Sequence, residues 1–216
     1  MSTHYDDEAQ VEELRRWLRE NWKAIAGGIV LGLAVIFGWE AYNRNRDAHR
    51  AEGAQLFEQL QTAASGDKYD DAVKICDRLV KEFENTPYAV AAAMKVAQLA
   101  VTSGKADDAR GRLEWAASHN GDDALKPLIQ FRLAEVLWQS GKVDEALKQL
   151  TGAAGPYEAL YSELQGDIKL SQGDRAAAYS AYDNALKKYD AKGNPAGKEL
   201  LQQKLDDLAD AAPVHS

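Results

Sequence analysis

The sequence predicts an all-α protein with a single N-terminal transmembrane helix, followed by a solenoid of antiparallel helix pairs that a C-terminal capping helix closes. Two observations carry this reading. The stretch Ala24 to Trp39, AIAGGIVLGLAVIFGW, runs for sixteen residues without a charge. After it, a theme of glycine, polar turn and alanine recurs four times, with helical patterning on both sides.

At the amino terminus, Asp6, Asp7 and Glu8 precede a pattern in which Val11, Leu14 and Leu18 recur on one helical face, with Trp17 beside them. Acids at the start and Arg15, Arg16 and Arg19 further on suit the dipole of a helix. Such a helix either lies against a membrane surface or extends the apolar stretch into water.

The apolar stretch itself is longer than most signal-peptide cores, and its flanks extend it to spanning length. Trp22 and Trp39 bracket it, Tyr42 follows, and the Lys23 stem can lie in the apolar zone while its ammonium reaches out. From Trp22 to Tyr42 a helix rises about 30 Å, the thickness of a hydrocarbon core. No small-x-small cleavage site follows, because Phe37, Gly38, Trp39 and Glu40 are mostly bulky or charged. The alternative is a buried helix of a soluble domain, which length argues against. Within the stretch Ala24, Gly28 and Gly32 make a small-xxx-small ridge that admits close packing of another membrane helix. The basic residues beside it, Arg15, Arg16, Arg19 and Lys23 before against Arg44, Arg46 and Arg50 after, do not by themselves orient the span.

The turn theme reads Gly66 to Ala72, Gly104 to Ala109, Gly141 to Ala146 and Gly173 to Ala178, with the glycines 38, 37 and 32 residues apart. This period resembles tetratricopeptide repeats, units of about 34 residues in two antiparallel helices. The physics agrees. A glycine in the left-handed conformation ends the first helix, and acids then complement the dipole of the second. Small residues expected where helices cross are Ala97, Ala134 and Gly166 before the turns, and Ala116, Ala153 and Ala185 after them. Val96, Leu113, Leu133, Leu137, Leu150 and Tyr182 are expected to fill the core. The first unit carries one extra turn residue, its leading helix continues from the anchor through Leu56, Phe57 and Leu60, and Cys76 falls at the equivalent of Leu113 as a small buried hydrophobe. Asn85-Thr86-Pro87, Asn120-Gly121-Asp122, Gly155-Pro156 and Gly193-Asn194-Pro195 separate the units. In Ala196 to Asp210, Leu200, Leu201, Leu205 and Leu208 are expected to form the apolar face of the cap.

Nothing in the sequence announces catalysis, a cofactor or a metal. The adjacent acids Asp70-Asp71, Asp107-Asp108, Asp122-Asp123 and Asp206-Asp207 point apart on a helix and read as solvated, dipole-complementing groups. The net charge of −8 disfavours nucleic acid as a partner. The single cysteine excludes an intrachain disulfide, and lying away from the apolar stretch it offers no lipid attachment site.

Asp7 to Lys23, DEAQVEELRRWLRENWK, the glycine-rich anchor ending Gly38-Trp39 and the ending Leu201 to Leu208, LQQKLDDL, together resemble the YfgM-like ancillary subunits of the bacterial Sec translocon over nearly the whole chain. The resemblance implies a cytoplasmic amphipathic segment 1–22, an inner-membrane helix 23–43 and a periplasmic repeat domain 44–210; the terminal residues 211–216 are expected to form a flexible tail. It implies a non-enzymatic adaptor whose partners are the Sec translocon, a membrane-anchored periplasmic chaperone of the prolyl-isomerase-like type and newly translocated polypeptides. A repeat scaffold for another envelope-assembly or cell-wall complex is the alternative. In tetratricopeptide-like arrays the first helix of each unit lines the concave side. That register nominates Met94, Gln98, Phe131, Glu135, Trp138, Leu160 and Glu163 as a partner groove.

Overall fold

The computed structural model describes residues 4–66, 68–192 and 198–209, and the side chains of 4–10 and 190–192 lie outside that description. Among the described residues the chain is helical: α1 (His4–Ser65), α2 (Tyr69–Glu82), α3 (Pro87–Thr102), α4 (Ala106–His119), α5 (Lys126–Gln139), α6 (Val143–Gln149), α7 (Glu158–Ser171), α8 (Arg175–Lys192) and α9 (Lys198–Asp206), with a short 3-10 turn at Gly155–Tyr157. There are two compact units, residues 1–51 and 52–216.

In the first unit α1 is long and apolar enough to cross a membrane, and none of its most apolar window is buried against protein. Val30, Leu31, Val35 and Phe37 are all more than 60% exposed. Arg44 pairs with Glu40 at 2.8 Å beyond the apolar stretch.

In the second unit the helices pair as the repeat predicts. Gly104, Gly141 and Gly173 have φ of 70°, 75° and 80°, a conformation that costs an L-residue with a Cβ but not glycine. Each turn closes with the same bond across six residues: the amides of Lys105, Lys142 and Asp174 donate to the carbonyls of Ala100, Leu137 and Lys169 at 2.8, 2.9 and 3.0 Å. The next helix then begins on acids, Asp107-Asp108 in α4 and Asp144-Glu145 in α6. The Asp174 carboxylate accepts from the Ala177 amide at the start of α8. The first turn departs from this plan. Gly66 has no positive φ, and the bond across six residues comes from Lys68 to Ala63, so the extra turn residue moves the closing position beyond the glycine.

Three contiguous apolar clusters fill the stack. Val96, Leu113, Leu133, Leu137, Leu150 and Tyr182 are buried, as are Leu56, Leu60, Cys76 and Leu79. Cys76 is enclosed, and burial pushes its thiol up to about 11, which keeps it protonated and unreactive. Ala97, Ala134, Ala116 and Ala185, expected at crossings, are buried. At Gly166 an added Cβ would lie 2.4 Å from the Tyr182 ring, so the aromatic ring fills the space that the missing side chain leaves. Ala153 is exposed instead of buried, and Ala154 takes its place. The reason is the short α6: the amide of Leu150 bonds back only three residues, and Thr151 Oγ1 donates to the Lys148 carbonyl at 2.8 Å, which tightens and ends the helix.

Helix α9 covers the last pair with Leu201 and Leu205, and Leu208 in the turn after it completes the apolar cover. Leu200, expected on the same face, is 56% exposed because it precedes Leu201 by one residue and so points about a quarter-turn away. Lys204 anchors the cap by ion pairs with Glu163 at 3.1 Å and Asp167 at 2.7 Å on α7. The break at Gly193-Asn194-Pro195 and the tail from Ala211 lie outside the described residues.

Gly166→Ala is expected to lower stability by about 1–3 kcal/mol through overpacking against Tyr182. Gly111, exposed in α4 with nothing near its added Cβ, should gain about 0.5–1 kcal/mol on change to Ala. Urea unfolding of the two variants should therefore move in opposite directions, and equal midpoints would contradict the packing.

Burial pushes Tyr161 and Tyr189 up to about 12, the Glu163 carboxylate adding to the effect at Tyr189. The folded chain holds these protons above the usual phenol value of about 10, so their stabilisation is complete below pH 10 and lost as pH rises toward 12. Urea midpoints should fall across that window, and less steeply in Tyr161→Phe.

Candidate functional site

The stack forms one apolar groove from its first helices. Phe57 of α1, Ala91, Met94, Lys95, Gln98, Val101 and Thr102 of α3, and Leu128, Arg132, Glu135, Val136 and Gln139 of α5 line it, with Leu113 of α4 reaching its floor. Its volume is about 480 Å³, within the range of sites that hold an apolar segment or small ligand. The floor is aliphatic and carries Met94, whose flexible thioether adapts to differently shaped surfaces. The rim is polar. Arg132 pairs with Glu135 at 2.9 Å, and Lys95 donates to Gln98 at 3.4 Å. The helix-ending turns bring these residues together, because each returns the chain so that α3 and α5 follow one another on the same side.

Of the residues nominated from the sequence, Met94, Gln98 and Glu135 meet in this groove. The structure places the others elsewhere. Phe131 is 7% exposed and its ring stacks on Tyr161 with centroids 6.3 Å apart. Trp138 is half-buried against the central core, and its indole N–H donates to Ser171 Oγ at 3.2 Å, tying α5 to α7. Leu160 packs between the central and terminal clusters. Glu163 accepts from Tyr189 at 3.2 Å and is paired with Lys204, so the cap engages it. Among the lining residues that the sequence reading missed, Val101, Thr102 and Gln139 each lie three or four residues beyond a nominated position on the same helix. Extending the register by a turn would have found them. Phe57, expected on the leading helix of the first repeat, also lines the groove.

A polar clasp joins α2 to α4 and the turn before it, in the first two repeats. Tyr69 OH donates to Asp108, Arg112 Nε donates to Asp108 at 3.3 Å, and Arg112 also pairs with Asp77. Lys105 sits 3.7 Å from the Tyr69 ring centroid. Asp108 is therefore half-buried and partnered, where the sequence suggested a merely solvated acid.

Comparison with known proteins follows the same architecture. The tetratricopeptide repeat-like domain family matches residues 15–210. A relative from Escherichia coli (strain K12), an ancillary SecYEG translocon subunit, is 30% identical over 97% of this chain and 100% of its own. The chain belongs to the ancillary SecYEG translocon subunit family. A Haemophilus influenzae member of this family is 26% identical over 96% of this chain and 100% of its own. Among solved structures, that of the MamA protein superposes with a TM-score of 0.54 at 15% identity, covering 73% of this chain and 92% of that one, a likeness of fold alone. An N-terminal helix able to span a bilayer, together with the translocon-subunit names of the relatives, fits a membrane-anchored protein.

Phe131→Ala is expected to cost about 3–5 kcal/mol as a large-to-small core change, whereas Gln98→Ala on the exposed rim should stay within about 0.5 kcal/mol of the parent. Thermal and urea unfolding of the two variants check the division between core and rim.

Proposed function

We propose that this chain is a non-enzymatic adaptor of the Sec translocon in the bacterial inner membrane. It links the channel to a membrane-anchored periplasmic chaperone of the prolyl-isomerase-like type and assists newly translocated polypeptides. In this reading residues 1–22 are cytoplasmic, 23–43 span the inner membrane and 44–210 form the periplasmic repeat domain. The observation that carries it is the α1, α3 and α5 groove, an aliphatic floor with a polar rim. Such a surface suits an extended or helical segment of another polypeptide, with the floor supplying area and the charged rim choosing among partners. Its family membership supports the channel as the neighbour in the membrane. Met94, Gln98 and Glu135 are the groove residues we assign to partner contact. Phe131, Trp138, Leu160 and Glu163 act behind it, by fixing α5, α7 and the cap. Ala24, Gly28 and Gly32 provide a packing ridge within the membrane.

The test uses the full chain, extracted in mild detergent with its neighbours. The paired change Gln98→Arg and Thr102→Arg, both at exposed positions that fill the groove, should reduce copurifying chaperone or client severalfold and retain SecYEG. The paired change Lys74→Glu and Glu114→Lys, away from the groove, should retain both. Unchanged recovery with the groove filled would place partner binding elsewhere. Absence of SecYEG from every sample would contradict the adaptor reading.

A further inference from the structure

Residues 11–22 of α1 expose an apolar face that lies outside the proposed span 23–43. Val11, Leu14 and Leu18 are 48%, 58% and 44% exposed. At about 1.5 Å per residue they lie roughly 9 to 20 Å before Ala24, outside the hydrocarbon stretch. The helix is continuous through Lys23, so no turn lays this segment flat on the lipid surface.

The spacing of the face suits a partner helix. Val11, Leu14, Leu18, Asn21, Ile25 and Gly28 alternate by three and four residues, and the alternation continues through Gly32 to Val35. A straight helix drifts about 20° per heptad from a seven-residue repeat, so a seam kept to that period follows a partner helix with which it supercoils. The charged residues respect the seam. Glu12, Glu13, Arg16, Arg19, Glu20 and Lys23 all fall on its outer positions, and Arg15 alone flanks it. Inside the bilayer, a Cβ added at Gly28 or Gly32 would meet nothing within 4 Å, leaving the backbone open to close approach.

We propose that two copies of this chain form a parallel, in-register dimer along the seam from Val11 to Val35. Two copies inserted in the same sense are necessarily parallel, and their periods match by identity. Asn21 then faces its own counterpart at the membrane boundary. Its Nδ2 donates to the Trp17 carbonyl at 2.9 Å, which leaves the side-chain carbonyl and a second N–H to bond across the pair. A polar residue at one core position of a coiled coil sets register in this way. A partner helix with another register would leave that amide against apolar groups. The apolar extension thus becomes a grip that holds two repeat domains on one membrane site, and it stands or falls independently of the adaptor reading.

The test uses the purified full chain in lipid vesicles, with Cys76→Ser as background and single cysteines placed by Leu14→Cys and Leu18→Cys on the seam or Arg16→Cys and Glu20→Cys outside it. Mild oxidation should shift the seam variants to twice the monomer mass on a non-reducing gel and leave the outer variants monomeric. Because a seam cysteine itself weakens packing, a second measurement keeps the seam intact. Donor- and acceptor-labelled Arg16→Cys chains, mixed in the same vesicles, should transfer energy, and adding Leu14→Lys and Leu18→Lys should abolish the transfer. No transfer between intact seams, or equal crosslinking on both faces, would overturn the dimer. Seam adducts in native membranes that contain only other polypeptides would overturn it as well.

Discussion

The architecture rests on one local constraint, the helix end that only glycine adopts cheaply. At Gly104, Gly141 and Gly173 the backbone enters the left-handed region, and the following amide reaches back to a carbonyl five residues earlier in the chain. That geometry reverses the chain over two residues and begins the next helix on acids that its dipole favours. Repetition does the rest. Each reversal returns a first helix to the same side of the stack, so α1, α3 and α5 come to share one groove although they are far apart in sequence. The close contact of Gly166 with Tyr182 shows the same economy at a crossing, where absence of a side chain makes room for a ring.

Much of this was legible because it is periodic. The turn glycines, the small residues at Ala97, Ala134 and Gly166 and the enclosed position of Cys76 all follow from counting forward or back from one motif. The departures are local and have local causes. At Gly66 an added residue displaces the closing bond, and at Thr151 a hydroxyl bonding back to Lys148 ends α6 before Ala153 can enter the core. Groove residues were harder to read because a helix inside a solenoid is covered on more than one side. Phe131 and Trp138 look like binding residues on a helical wheel, yet α7 covers them through Tyr161 and Ser171. No periodicity in α5 alone reveals how closely the next pair approaches.

The two units differ in what they bury. The apolar window of α1 is long enough to cross a membrane and none of it is buried against protein, while the repeat unit buries its own core in three clusters and closes its end with α9. Lys204 bridging Glu163 and Asp167 makes that closure specific, since an apolar face alone would accept many helices. The repeat unit also carries an open apolar groove, rimmed by Lys95, Arg132 and Glu135.

The central claim, that the shared face of the first helices receives other polypeptides, is tested most directly by placing a light-activated crosslinking residue at position 98 of the full chain in its own membrane, with position 74 on α2 as the comparison. The account predicts that position 98 captures polypeptides other than this chain, with position 74 capturing far less. Capture from position 74 alone, or from neither position while the chain remains folded and membrane-bound, would contradict it.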